Sequence, residues 1–256
     1  MRTIKEMMNL DGKHAVVTGG QGWLGHAMTA ALVELGANVT VVSRGKSDIF
    51  GEDAHDDGHI SVIAADVTDR EDIENFVTHL GHIDILVNNM CAWPKQHDFL
   101  KTTWDDIEES FSNNLIGQLY LTKEIAAQHM PNGGSIINVT SMYGKVSPDP
   151  KMYRGTGGNA LEYGASKAAL LQSTKWLAAH LGHRNIRCNS ISPGPFSRPG
   201  SLNGKEWFEE ELNNRTMLGR VACLEELKGA VALLATDLGS YITGEDIAVD
   251  GGWTAF

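Results

Sequence analysis

Cysteine is scarce in this sequence: Cys91, Cys188 and Cys223 are the only three in 256 residues, and they lie far apart. No Cys-x-x-Cys pair occurs, which excludes a zinc knuckle, a redox dithiol and a disulfide scaffold. Buried, reduced thiols in a cytoplasmic protein are the expected state. Long apolar runs are also missing. The most apolar segments are short and broken by Asn, Gly or Asp, so no membrane span is expected. The first residues, MRTIKEMMNLDGKH, hold no apolar core of a signal peptide. Positive charge is in deficit, with 21 Lys and Arg against 32 Asp and Glu and a formal charge of −11. Such a surface repels nucleic acid and anionic lipid, so neither is an expected partner unless a local basic groove overrides the net charge. Ten histidines are scattered without ligand spacing, so no metal site is expected.

What is present reads as a folded chain. Hydrophobic residues make up 42% and charged residues 21%, ordinary values for a globular domain. Short β-branched runs at 14–18, 38–43, 60–65, 83–87, 135–140, 186–191 and 246–249 predict strands. Helical spacing predicts helices at 23–35, 69–80 (with Asp69 as N-cap), 108–129, 160–181 and 224–235. Strands alternating with helices predict an α/β fold, a doubly wound and mainly parallel sheet covered on both faces. No linker or repeat divides the chain, so residues 1–256 are read as one domain. The stretches 148–159 and 193–214 lack periodicity and are rich in Gly, Pro and polar residues. Long irregular loops in a compact domain are more often functional than accidental. The segment 207–217, between Gly204 and Gly219, reads as a small amphipathic helix and is expected to act as a lid.

The first strand runs into Thr18-Gly-Gly-Gln-Gly-Trp-Leu-Gly25 and then a helix. A glycine turn alone is a weak signal, but this position gives it force. Gly19, Gly22 and Gly25 let the backbone turn tightly, and a pyrophosphate then sits on the helix N-terminus. Gln21, Trp23 and Leu24 belong to the same cradle. An acid at the tip of the second strand would favour NAD, and an arginine the 2′-phosphate of NADP. This strand ends Val42-Ser43-Arg44, with Asp48 a few residues on. Ser43 and Arg44 therefore favour NADP(H) over NAD(H).

Tyr163 and Lys167 lie four apart on one predicted helix, hence on one face. A free tyrosine titrates near about 10, and a nearby ammonium stabilises its phenolate, so such a pair can exchange a proton with an alcohol or carbonyl oxygen. These motifs, with Asp66-Val67, Asn88-Asn89, Asn114-Leu-Ile-Gly117, Ser141 and Pro193-Gly194 in this order, make the chain resemble the short-chain dehydrogenase/reductases over nearly its whole length.

The resemblance implies a Rossmann fold with a seven-stranded sheet, an NAD(P)-dependent oxidoreductase, and a homo-oligomer, tetramer or dimer. It implies Tyr163 as general acid/base, Lys167 as the residue that lowers its pKa and holds the nicotinamide ribose, and Ser141 as the group that orients the substrate oxygen. Asn114 would hold a water of a proton relay. Asp66 and Val67 would contact the adenine, Asn88 and Asn89 the ribose side, and Pro193 and Gly194 the nicotinamide.

The chain also departs from the family pattern. The middle glycine usually falls where this chain has Trp23. The spacing found here resembles the extended, sugar-nucleotide branch, for whose added substrate domain the chain is too short. Met90-Cys91 stands where Ala-Gly is usual, and the gap from Ser141 to Tyr163 is longer than usual by about residues 148–159. Substrate loops are expected at about 90–100, 142–160 and 193–218. Trp93, Tyr153, Arg154 and Phe196 are the candidate substrate residues, with His97, Met142, Tyr143, Ser197 and Arg198 nearby. Trp93 or Tyr153 would stack on a sugar ring, and Arg154 would bind a carboxylate. The leading expectation is hydride transfer between NADP and a secondary alcohol or ketone of a small, sugar- or polyol-like molecule. A 3-oxoacyl ketoreductase and a catalytically silent dinucleotide-binding regulator are the alternatives, and the intact Asn114, Ser141, Tyr163 and Lys167 set speaks against the last.

Overall fold

The computed structural model describes residues 1–45, 59–93, 98–154, 158–198 and 200–256. Seven strands form one sheet: β1 His14–Thr18, β2 Asn38–Ser43, β3 Ile60–Ala64, β4 Ile85–Asn88, β5 Gly134–Val139, β6 Ile186–Pro193 and β7 Asp246–Val249. All pair in parallel, in the order β3-β2-β1-β4-β5-β6-β7. The chain order reverses between β1 and β4, so a crevice opens there beyond the strand C-termini.

The strands are apolar on both sides because helices cover both faces. The helices are α1 Ile4–Met8, α2 Trp23–Glu34, α3 Arg70–Val77, α4 Trp104–Phe111, α5 Gly117–Gln128, α6 Leu161–Leu181, α7 Glu206–Arg215 and α8 Lys228–Ala235. On one face Met28 and Leu32 of α2 and Val231 and Leu234 of α8 pack on Val17, Val39, Val41 and Ile137. On the other, Ile73 and Phe76 of α3 and Leu121 and Ile125 of α5 pack on Val16, Leu86 and Ile136. Burying each such side chain contributes about 1.5–3 kcal/mol, which fixes which face of each helix meets the sheet.

Several boundaries differ from the sequence reading, each for a local reason. The helix expected at 108–129 begins at Trp104, where Thr103 and Asp106 form a capping box. It is then broken by a π-turn at Ser112–Ile116 before α5. The helix expected at 224–235 opens as a 3₁₀ turn, Leu224–Leu227, before α8. The strand expected to end at Ile191 runs on to Pro193, whose register partner is Val249 of β7. The short α1, capped by Thr3 and Glu6, is too brief to show periodicity. Of the three thiols expected to be buried, Cys188 is buried, Cys91 is half-buried and Cys223 is exposed. Among the described residues no helix is long and apolar enough to cross a membrane, and no group of metal-ligating side chains occurs.

Candidate active site

The glycine turn occupies the crevice between β1 and β4. Gly19 is left-handed (φ 62°), which turns the chain, and its carbonyl accepts the Gly22 N–H at 2.9 Å. Gly25 is required by contact: a Cβ there would lie 2.2 Å from the Gly19 carbonyl oxygen and 2.7 Å from Asn89 Nδ2. The close packing draws the start of α2 down onto the turn. No side chain caps α2 and no acid sits in its first turn, so its positive end is unopposed. Gly19, Gly22, Trp23, Leu24 and Gly25 line one end of a cavity of about 1030 Å³. The Trp23 indole, where the family usually has glycine, donates to the Phe196 carbonyl at 3.1 Å and ties the turn to the loop after β6. Gln21 does not line the cavity; its Oε1 accepts the Ser43 hydroxyl at 2.6 Å.

Ser43 and Arg44 line the cavity beside the glycine turn, whose Gly19 N–H donates to the Val42 carbonyl at 2.7 Å, and Arg44 is exposed. Asp48 lies outside the described residues. Ala65 and Val67 line the cavity after β3, but Asp66 between them does not: its carboxylate accepts the Thr68 N–H and hydroxyl. After β4, Asn89 lines the cavity while its Nδ2 stitches β4 to the Thr18 and Gly19 carbonyls at 3.0 Å. Asn88 is a correction. It is the last residue of β4, and its side chain points into the core, donating to Thr122 Oγ1 and Asn138 Oδ1 at 2.7 and 2.9 Å. Asn88 thus bonds inward to Thr122 and Asn138 while Asn89, just past the strand, bonds the glycine turn, so the two do not share a role.

Ser141, Tyr163 and Lys167 all line this cavity. Ser141 follows β5, and its Oγ accepts the Tyr143 N–H at 3.1 Å. Tyr163 and Lys167 are one turn apart on α6, and both are buried. The Lys167 ammonium donates to the Val139 carbonyl at 2.9 Å. Burial pushes the Tyr163 phenol well above its ordinary pKa; the Cys91 thiol adds to this, and a hydrogen bond with Ser141 works against it. Burial pulls the Lys167 ammonium below its ordinary pKa, and the Cys91 thiol works against this. Cys91 stands where the family usually has glycine. Its thiol lies beside Tyr163 and Lys167, and burial pushes its pKa up, so it stays a neutral neighbour. Asn114 does not reach the cavity: its amide pairs with the Ala92 N–H and carbonyl at 3.0 and 3.3 Å from within the π-turn. It fixes the segment that carries Cys91 and Trp93.

The substrate end is walled by aromatic side chains. Trp93 stacks on Tyr163, with ring centroids 4.9 Å apart and planes at 17°. Met142, Tyr143, Tyr153, Phe208 and Leu212 also line the cavity, as do Pro193, Gly194 and Phe196, the last bonded to Trp23 of the glycine turn. Trp207, Phe208 and Leu212 come from α7, the helix expected as a lid. Arg154 is a correction: it does not line the cavity but pairs with Glu211 at 3.2 Å and lies over the Trp207 ring at 4.6 Å. Both partners belong to α7, which an unpaired sequence reading has no way to see. His97 lies outside the described residues. Ser197, Arg198, Ser201 and Lys205, all within the loop expected at about 193–218, also line the cavity.

A family model described as enoyl-(acyl carrier protein) reductase matches residues 21–254. The chain is 31% identical to a 7alpha-hydroxysteroid dehydrogenase of Bacteroides fragilis, over 97% of this chain and 96% of that one. The chain belongs to the short-chain dehydrogenase/reductase family. As a member of that family it is an NAD(P)-dependent oxidoreductase acting on an alcohol/ketone pair. Its fold is that of solved family members. A gluconate 5-dehydrogenase from Burkholderia cenocepacia, in complex with NADP and tartrate, superposes with a TM-score of 0.85 at 28% identity, covering 99% of this chain and 100% of that one. A short-chain dehydrogenase from Leptospira borgpetersenii with bound NAD+ gives a TM-score of 0.87 at 27% identity, covering 99% and 96%.

Proposed function

We propose that this reductase/dehydrogenase interconverts a secondary alcohol and its ketone on a polar, sugar- or polyol-like molecule, with NADP(H) favoured over NAD(H). The observation that carries the reading is the convergence of Ser141, Tyr163 and Lys167 on one cavity whose other end is the glycine turn. The dinucleotide fits that turn: the space beside Gly25 is too tight for any side chain, and the uncapped start of α2 offers N–H groups to a pyrophosphate. Arg44 at the β2 tip supports the preference for a 2′-phosphate. Val67, Asn89, Pro193 and Gly194 would hold the remainder of the cofactor.

When bound, the nicotinamide supplies or accepts the hydride. Tyr163 gives its proton to the ketone oxygen in reduction and takes the alcohol proton in oxidation. Ser141 hydrogen-bonds the same oxygen and fixes its position against Tyr163. The Lys167 ammonium favours the phenolate and would hold the nicotinamide ribose. Asn114 acts by fixing Ala92, and with it Trp93 and Cys91.

The sugar-like substrate is supported by the aromatic faces of Trp93, Tyr153 and Phe208, on which a ring can stack, and by the likeness to the gluconate 5-dehydrogenase. We read residues 1–256 as one unit with its substrate loops at about 90–100, 142–160 and 193–218. A homotetramer is in keeping with the exposed apolar Trp104, Ile116 and Leu161 on α4, the π-turn and α6.

The test is a panel of polyols, sugar acids and acyl-type 3-hydroxy esters, followed by NAD(P)H absorbance. Turnover of the first two groups with the third silent is expected; the reverse result would reject the sugar-like reading. Arg44→Ala should weaken NADPH binding by roughly 10- to 100-fold, the worth of a charge-assisted hydrogen bond, and leave NADH unchanged. Equal losses for both cofactors would reject the preference.

A further inference from the structure

We propose that the Tyr143 hydroxyl, held in place by Tyr153, binds a second oxygen of the substrate on the carbon next to the reacting one. The enzyme would then select 1,2-oxygenated alcohols and ketones. This rests on the function proposed above.

Four observations lead to it. First, Trp93, Met142, Phe208 and Leu212 give the cavity that holds Ser141 and Tyr163 an apolar wall, while Asn159, Ser201 and Lys205 are among its other polar lining residues. A substrate hydroxyl pressed against that wall would lose its water without gaining a partner, which costs free energy. Second, the Tyr143 and Tyr153 hydroxyls are 2.6 Å apart within that wall. Whichever phenol donates in that bond, the Tyr143 oxygen keeps either its own proton or a lone pair for a further partner. Third, Tyr143 is tied to the reacting centre. It follows Ser141 by two residues, its N–H donates to the Ser141 Oγ, and it belongs to the same packed cluster as Tyr163. Burial pushes both the Tyr143 and Tyr153 phenols upward, which keeps them neutral donors.

Fourth, the longer stretch between Ser141 and Tyr163 is built to hold Tyr153. Its ring rests on Phe208, with centroids 5.4 Å apart. On one side Asp149 pairs with Arg215 at 3.4 Å. On the other Arg154, in a left-handed conformation (φ 46°), clasps Glu211 and Trp207. Phe208, Glu211, Trp207 and Arg215 all belong to α7, so the insertion and the lid helix are clamped together around Tyr153. Tyr153 is thus a positioning residue and Tyr143 a specificity-determining one.

The experiment compares NADP+-dependent oxidation of cis- and trans-1,2-cyclohexanediol with that of cyclohexanol, in the wild type, Tyr143→Phe and Tyr153→Phe, with thermal midpoints measured alongside. The wild type is expected to favour one diol over cyclohexanol by roughly tenfold or more in kcat/KM, as a hydrogen bond made in a desolvated site gives. Both variants should lose that preference, Tyr153→Phe while keeping its ring on Phe208. A role confined to holding the loop would lower all probes together and leave the ratio intact, which overturns the inference. A wild-type ratio near one, with all probes turned over, also overturns it while leaving the proposed function standing. No turnover of any of the three, and no reduction of the matching ketones, rejects the proposed function and the inference with it.

Discussion

Gly25→Ala is the smallest change that separates cofactor binding from folding. The added methyl would lie 2.2 Å from the Gly19 carbonyl oxygen and 2.8 Å from Gly20 Cα. Both are backbone atoms of a turn held by the Gly22 N–H bond to Gly19 and by Asn89 Nδ2. Neither yields as a flexible side chain would. Reaching ordinary contact requires the start of α2 to move by roughly 1 Å relative to the turn. Hydrogen bonds from the first-turn N–H groups to a pyrophosphate would lengthen by a similar amount. Losing one or two charge-assisted bonds of about 1.5–3 kcal/mol each weakens dinucleotide binding by roughly 10- to 10⁴-fold. Folding should suffer less, because alanine is better than glycine in a helix by about 1 kcal/mol and offsets part of the strain. The assay is NADPH fluorescence titration beside a thermal melt. A dissociation constant within threefold of wild type, with the melt unchanged, would refute the view that this contact shapes the phosphate site.

Three further outcomes follow from the same geometry. Tyr163→Phe should lower turnover by roughly 10³-fold or more and leave NADPH affinity nearly intact, since the lost hydroxyl serves proton transfer rather than binding; surviving turnover would remove Tyr163 from the chemistry. The burial that raises the Tyr163 pKa fixes the sign of the pH dependence. Reduction uses the protonated phenol and should stay flat from about pH 6 to 9, whereas oxidation needs the phenolate and should climb across that range; an oxidation rate peaking near neutrality would contradict this. Asn88→Ala should cost about 2–4 kcal/mol in a denaturant melt, because it strips buried partners from Thr122 and Asn138, and leave NADPH affinity unchanged; a selective loss of affinity would return Asn88 to the cofactor site.

The strands β1, β2 and β7 match their sequence ranges residue for residue, because nearly continuous β-branched runs bounded by Gly, Asn or Asp leave little freedom. The Tyr163/Lys167 pair was legible for a similar reason: helical spacing of four puts both on one face. The π-turn at Ser112–Ile116 was not legible, since its residues keep helical composition; only the fold shows it, ending where Gly117 packs against the Val67 carbonyl. Asn88 and Asn89 look equivalent as a pair of letters, and only the fold sends one to the core and the other to the cleft. Arg154 read as an anion binder because its partners, Glu211 and Trp207, lie more than fifty positions away in sequence.

The sequence alone determined the order of strands and helices, the phosphate-binding turn and the proton-transfer pair, all of which depend on local spacing. The tertiary structure decided what faces the substrate. It brought Tyr153 of the insertion against Tyr143 and Phe208, set Trp93 on Tyr163, and turned Asn88, Asp66 and Arg154 away from the cavity. Such assignments depend on which distant residues meet, and side-chain contact falls off within a few ångströms, so no local pattern encodes them.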